Sequence, residues 1–335
     1  MSHGLSFVIC CHNSAARLPQ TLASLGRINY DEDIACEVVV VDNASTDETA
    51  EVARKVCPAN LRRCLRVVSE NRLGLSHARH RGVVEARNDI VSFIDDDNWV
   101  CADWVMRVLS IFKQSPLIGA VGGPSNPVFE ISPPEWFESV KGFYAVGPQH
   151  PATGDITDSH GTLLWGAGLS IRKIAFLKLI NHSFNFIMTD RKGANLSTGG
   201  DTEICYALRA SGWSFWYDDK LSLQHFIPAD RLSLNYLYKL MRAMGEAAVI
   251  YNLYLIAFEL HPFERLAWHR KTWAYQVIKT VNSLIKLQLK QEKGELPSIL
   301  HHCQQQNNIG HLATLLKLRR QYKTLLQQII YTSWK

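Results

Sequence analysis

Four short apolar runs recur at roughly even intervals in the first hundred residues: LSFVICC (5–11), EVVVV (37–41), LRVV (65–68) and IVSFI (90–94). Their β-branched content and unbroken apolarity suit strands buried on both faces. Helical signals lie between them. Leu18, Leu22 and Leu25 share one face, with Pro19 in the first turn. Ser45 and Glu48 have the spacing of a capping box, continued by Ala50, Ala53 and Val56. Ser76 is placed to cap a third helix running to Ala86. Strands and helices alternating at this spacing predict an α/β domain with a doubly wound, mainly parallel sheet. Such sheets bind ligands beyond the carboxyl ends of their strands. Asp42 ends the second run and Asp95 closely follows the fourth, so both carboxylates are expected in one crevice.

The fourth run continues into FIDDDNWV (93–100), three adjacent carboxylates. Carboxylate oxygens at a strand end suit Mg²⁺ or Mn²⁺, which one or two acids and substrate phosphates commonly hold together. The D-x-D of Asp95 and Asp97 therefore suggests a metal–diphosphate site; acids decorating a helix N-terminus are the other reading. Strand alternation sends Asp96 the opposite way, so Asp96→Asn is expected to be mild and Asp97→Asn severe.

Residues 116–160 change character: Pro, Gly and scattered aromatics (GGPSNP, ISPPEWF, VGPQHP) read as an irregular insertion, a lid or binding loop. WGAGLSIR (165–172) is strand-like, and TEICYALRASGW (202–213) is helical with Gly212 at C′. Past residue 230 the pattern turns helical. Over 273–290, Val277, Ile278, Val281, Leu284, Ile285 and Leu289 form one stripe flanked by Lys279, Lys286 and Lys290, an amphipathic basic helix. A second helix is expected over 312–330, joined to the first by polar, Gln-rich linkers (QEKGELPS, QQQNNIG).

The net charge of +5 hides an asymmetry. From residue 261 onward, 12 Lys and Arg stand against 3 Asp and Glu, a local +9; the first 260 residues carry 24 basic and 28 acidic side chains, a local −4. The basic tail suits a solvated helical hairpin or an anionic membrane; no nucleic-acid module or aromatic–basic pattern accompanies it. The eight cysteines form no C-x-x-C pair and read as reduced, packed thiols of a cytoplasmic protein. The N-terminal MSHGLSFVICCHN runs straight into the first strand and does not read as a signal peptide. The longest apolar run, AAVIYNLYLIAF (247–258), is short for a membrane span.

Five segments in order resemble the family 2 inverting glycosyltransferases of GT-A fold: SFVICCHNSAARLPQTLASL (6–25), VVVVDNASTDET (38–49), ENRLGLSHARHRGV (70–83), FIDDDNWV (93–100) and GGDTEICYALRASGW (199–213). HFIPADRLSLNYL (225–237) is similar to members that build bacterial surface polysaccharides. The resemblance implies a catalytic domain over 1–230 and a C-terminal helical basic extension over 231–335. It implies a nucleotide-sugar donor, a UDP-sugar by expectation, a saccharide or lipid-linked saccharide acceptor, a divalent cation (Mn or Mg), and a place in the cytoplasm, with possible peripheral contact at the inner face of the membrane. By position, Asp42 matches the acid contacting the base, Asp95 lies beside the ribose, Asp97 holds metal, Arg79 frames the nucleotide, and Asp201 is the catalytic base. Many members read G-E-D where this chain has Gly199-Gly200-Asp201, so Glu203 is the reserve base or an acceptor contact. His225 is a further metal ligand or a packed histidine. Trp165 is an acceptor platform or a core tryptophan.

Two other classes fit the same acids. One is a metal-dependent nucleotidyl or phosphoryl transferase; Asn98 after the triplet disfavours the aspartyl-phosphatase version. The other is a non-catalytic sugar-nucleotide-binding subunit, which the glycine at 200 and the basic tail would suit.

Overall fold

The computed structural model describes residues 4–159, 162–181, 184, 186–188, 196, 199–258, 268–292 and 298–331. The four apolar runs are strands β1 (Gly4–Cys11), β2 (Ala35–Asn43), β3 (Leu65–Glu70) and β4 (Ile90–Asp95). Helices α1 (Leu18–Leu25), α2 (Thr49–Lys55) and α3 (Leu75–Glu85) connect them. After β5 (Asn98–Val100) come α4 (Trp104–Gln114), β6 (Ile118–Gly122), β7 (Ser125–Phe129), α5 (Phe137–Val140), β8 (Gly154–Asp155), β9 (Ser170–Arg172) and α6 (Lys173–Asn181). Then follow α7 (Gly200–Ala210), β10 (Ser214–Tyr217), β11 (Leu223–Ile227), α8 (Leu234–Ala257), α9 (Trp273–Glu292), α10 (Ser298–Lys317) and α11 (Tyr322–Ile330).

Eight strands form the main sheet in the order β3-β2-β1-β4-β9-β6-β10-β8. The first four are parallel; β9 runs antiparallel to both β4 and β6, and β10 is parallel to β6. Val38 to Val41 are all fully buried, as a strand covered on both faces requires. The register sets Cys11 beside Asp42 and Cys10 beside Asp95, which brings both strand-end acids to the carboxyl edge around β1. A second sheet, β5-β11-β7, starts one residue after Asp97 and pairs Asn98 with His225.

Residues 116–160 are more regular than their composition suggests. IGAVG is the fully buried strand β6, and β7 carries the second sheet. The aromatics that follow build a core of their own, in which Phe137, Val140 and Tyr144 pack with Leu237, Leu240 and Met241 of α8.

The expected capping box does not form. Ser45 Oγ accepts the Asn13 N–H, and α2 starts at Thr49, whose N–H Asp47 Oδ1 accepts. These side chains instead tie two loops together: Thr49 Oγ1 accepts from the Ser14 N–H, Asp47 Oδ2 from the Ala15 N–H, and Asn13 Oδ1 from the Thr46 N–H. Helix α3 begins a residue before Ser76, with Gly74 at its N-cap.

The Gln-rich segment 304–310, expected as a linker, lies inside α10, and the single helix expected over 312–330 is broken between Lys317 and Tyr322. Close packing holds α10 on α8. A Cβ at Gly245 would stand 1.9 Å from the Asn307 carbonyl oxygen, and one at Gly310 2.1 Å from that of Arg242. The apolar run 247–258 is mostly the buried end of α8; among the described residues no helix is long and apolar enough to cross a membrane. All eight cysteines are in the thiol form.

At the end of β3, Glu70 accepts from the N–H, Nε and Nη2 of Arg72 at 2.8, 3.0 and 3.0 Å. This pairing holds the Glu70 carboxyl down at about 2. A carboxylate depressed by folding contributes stability above its unfolded value, and that contribution fades as pH falls toward the folded one. Because the Arg72 guanidinium is well exposed, Glu70→Gln is expected to cost only about 1 kcal/mol at pH 7. The difference from the parent chain should vanish between pH ~4.5 and ~2 in paired denaturant titrations.

Candidate active site

The carboxyl edges of β1, β2 and β4 open into a cleft of about 560 Å³. Its far side is built from residues Gly142 to Ala145, from Leu163 to Ala167, from the start of α7, and from Tyr236, Leu240, Met244 and Tyr251 of α8. The site therefore draws on both sides of residue 230.

Asp97 is the buried centre of the acidic end, 5% exposed. Strand β4 stops at Asp95, and the chain turns before β5. Asp97 Oδ2 pairs with Nη1 of Arg231 at 3.1 Å, and Oδ1 accepts from Asn98 Nδ2 at 3.1 Å and stands 3.8 Å from His225 Nε2. The Asp97 carbonyl also accepts the Phe226 N–H, which fixes β11 against the turn. Asp97 and His225 thus converge as expected. Arg231 was missed, although it closes the HFIPADR segment six residues after His225. Its signal in sequence was a basic residue shortly after a strand that the acids had to meet.

Asp96 departs from the expectation. Because the strand has already ended, alternation no longer governs it, and it lines the cleft beside Asp95 and Asp97. Its Oδ2 accepts from Arg17 Nη2 at 2.7 Å, and its carbonyl accepts from Thr21 Oγ1. Burial and the neighbouring Asp97 carboxylate push the Asp96 carboxyl up, against the pull of Arg17. The effect of Asp96→Asn is therefore set by opposed charges and not by an outward orientation.

Three carboxylates and the guanidinium groups of Arg17 and Arg231 meet here. A carboxylate and an imidazole at one cleft end are a donor set that suits Mn²⁺ or Mg²⁺ once phosphate oxygens complete it. Among the described residues no three His, Cys, Asp or Glu side chains surround a single point. Asp97 and His225 thus fit a cation as a half-site that a phosphate-bearing ligand must finish.

Asp201 lies in the first turn of α7, where a helix N-terminus favours an acid. Its Oδ2 accepts the Gly166 N–H at 2.7 Å and its Oδ1 the Thr202 N–H at 2.8 Å, which fixes the carboxylate on the cleft wall. A Cβ at Gly166 would lie 2.2 Å from Arg79 Nη2 and 3.0 Å from Asp201 Cβ, so glycine at 166 is what lets Arg79 and Asp201 crowd together. Arg79 is 4% exposed and lies over the Phe93 ring, 5.8 Å from its centroid. Trp165 lines the same wall.

Glu203 is corrected. It is fully buried and does not line the cleft. Its carboxylate accepts the Ile187 and Met188 N–H groups at 2.8 and 3.0 Å and the Tyr254 hydroxyl at 2.7 Å. It anchors the segment before α7 to α8, so it is neither a reserve base nor an acceptor contact.

Asp42 stands at the cleft margin and accepts the Ser45 N–H through Oδ1 at 3.3 Å; the lining residue is its neighbour Asn43. Asn43, 4% exposed, also escaped the sequence reading. Its Nδ2 donates to the carbonyls of Glu70 and Arg72, and its Oδ1 accepts the Gly74 N–H at 2.8 Å. One amide thereby shapes the loop that presents Leu73 and Leu75 to the cleft. Asn43→Ala leaves these buried groups unmet, and a loss of about 2–3 kcal/mol is expected in urea unfolding.

Comparison with known proteins agrees with this picture. Residues 6–166 match the family model described as "Glycosyl transferase family 2". Poly-beta-1,6-N-acetyl-D-glucosamine synthase of Staphylococcus aureus (strain COL) is 30% identical over 124 residues, 37% of this chain and 28% of that protein; the Staphylococcus epidermidis protein of the same name is 28% identical over 125 residues. The chain spans under a third of the length of these relatives. In fold, it is similar to a mannosyltransferase, PcManGT, from Pyrobaculum calidifontis, solved with GDP-Man and Mn²⁺ (TM-score 0.58, 16% identity, 93% of this chain and 86% of that one). It is also similar to S. aureus TarS 1-349 solved with UDP (TM-score 0.50, 13% identity, 94% and 91%). Residues 6–166 therefore match glycosyl transferase family 2, and the chain shares the GT-A fold of these structures.

Proposed function

We propose that the chain transfers a sugar from a nucleoside-diphosphate sugar to a hydroxyl of a saccharide or lipid-linked saccharide, with inversion, in the assembly of a cell-surface polysaccharide. One observation carries this reading: one cleft at the carboxyl ends of a parallel sheet is lined both by an acid–guanidinium cluster around Asp97 and by a positioned carboxylate, Asp201, at the start of α7. The two groups suit the two halves of the reaction. The surface-polysaccharide assignment is supported by the curated relatives, and the donor class by the nucleotide and nucleotide-sugar ligands of the fold neighbours.

In this reading the nucleotide lies over the β1–β2 edge, against His12 and Asn43, with Asp42 at the margin and Asp95 toward the ribose. The diphosphate lies over Asp97, His225 and Arg231. Asp97 and His225 would hold a divalent cation, which would supply Lewis-acid stabilisation of the leaving diphosphate. Arg231 and Arg17 add fixed positive charge around the same oxygens. The acceptor enters beside Trp165, whose ring face covers the apolar face of a sugar. Asp201 accepts the proton of the attacking hydroxyl while the hydroxyl oxygen bonds to the anomeric carbon. The carbon–oxygen bond to the diphosphate breaks, and its electron pair leaves with the diphosphate. The Gly166 and Thr202 amides hold the Asp201 carboxylate in one orientation, with Arg79 packed behind it. A single displacement needs no carboxylate nucleophile.

UDP-, GDP- and dTDP-sugars screened with Mn²⁺ by thermal shift should identify one donor that raises the melting temperature. With that donor, Asp97→Ala is expected to weaken metal-dependent binding by at least about tenfold, since it removes a charged ligand. Asp201→Asn should keep the binding constant within about threefold and lower turnover by about 100-fold or more. Wild-type transfer by both variants would refute the assignment.

A further inference from the structure

Helix α9 buries polar side chains and leaves an apolar stripe outside. The face toward α10 is largely polar: Gln276 and Thr280 are 6% and 4% exposed, Thr280 Oγ1 lies 2.9 Å from His311 Nδ1, and Asn308 Nδ2 donates to Ser283 Oγ at 3.1 Å. Leu287 is buried there at 7% exposure, and Trp273 and Val277 are partly buried against the core. On the opposite side Ile278, Val281, Ile285 and Leu289 are 59%, 38%, 55% and 51% exposed. Their spacing of three and four residues makes a continuous apolar stripe along a helix about 30 Å long. Single exposed aliphatics are ordinary, but a stripe of four on a helix that buries hydroxyls and amides is not.

The charges beside the stripe select its partner. Lys279, Lys286 and Lys290 are exposed and, at 100° per residue, share one flank of the stripe. No acid occurs from Trp273 to Gln291, and residues 261–335 carry a local +9. Two copies of this face packed together would oppose lysine to lysine. A nucleic acid would meet the charge but offer no apolar phase for four aliphatic side chains. An anionic bilayer meets both demands: the stripe enters the acyl boundary while the lysine stems run along it and keep their ammonium groups among the phosphates.

We propose that the outward face of α9 is a membrane-docking surface that lies flat on anionic lipid. The surface belongs to the helical extension and does not depend on the reaction assigned to the cleft. Because α10 packs on α9 and on α8, and α8 lines the cleft, docking would hold the cleft at a fixed attitude to the bilayer.

The full chain should co-sediment with vesicles of phosphatidylglycerol and phosphatidylcholine mixed equally, and not with pure phosphatidylcholine vesicles. Ile285→Gln with Leu289→Gln, and separately Lys279→Gln with Lys286→Gln and Lys290→Gln, should each lower the partition coefficient by about tenfold or more. Melting temperatures should stay within about 2 °C, since every altered side chain is exposed. Binding of the anionic vesicles that is unchanged by both sets of substitutions would overturn the proposal, as would no binding by the parent chain. A concentration-dependent dimer abolished by Ile285→Gln with Leu289→Gln, without vesicle binding, would overturn it in favour of a second copy.

Discussion

A buried carboxylate at a strand end has to be neutralised, and the way Asp97 meets that requirement organises much of this molecule. Its oxygens reach Arg231, Asn98 and the neighbourhood of His225, while its carbonyl holds Phe226. These contacts join the parallel sheet to the second sheet and to the segment leading into α8. Removing one partner of such a pair strands a charge away from water, at a cost of about 3–5 kcal/mol. The acidic triplet is thus a structural junction as well as a candidate ligand site. Asp96 belongs to the same balance through Arg17 on the loop before α1.

The start of α7 follows a different logic. Asp201 is positioned by backbone amides and by the lack of a side chain at residue 166, which lets the Arg79 guanidinium pack against it. The glycine at 200 opens α7 at a buried position. Glu203 takes up the structural duty one turn later, bonding two backbone amides and a tyrosine hydroxyl. One carboxylate facing the cleft and one sealed behind it is a division of labour that burial, not spacing, decides.

Much of this could be read from the chain. The four parallel strands were legible because a strand covered on both faces must be apolar throughout, and Asp42, Asp95 and Asp97 were legible because they end or follow such strands. Strand β6 was hidden because IGAVG is short and glycine-flanked, and α10 because Asn307 and Asn308 within it bond to α8 and α9. Ser45 and Glu48 had the right spacing for a cap, but the loop after β1 offered Ser45 a better use. Asn43 and Arg231 escaped because their roles depend on contacts 27–31 and 134 residues away. The stripe on α9 was visible as a pattern; only packing reveals that it faces outward.

What leaves the cleft distinguishes sugar transfer from phosphoryl or nucleotidyl transfer. With the donor that stabilises the protein and a hydroxyl acceptor, NMR of the product mixture reads both the leaving group and the new anomeric configuration. One equivalent of free nucleoside diphosphate and a glycoside inverted relative to the donor are expected. Pyrophosphate or inorganic phosphate as the released group, or a product of retained configuration, would contradict inverting sugar transfer.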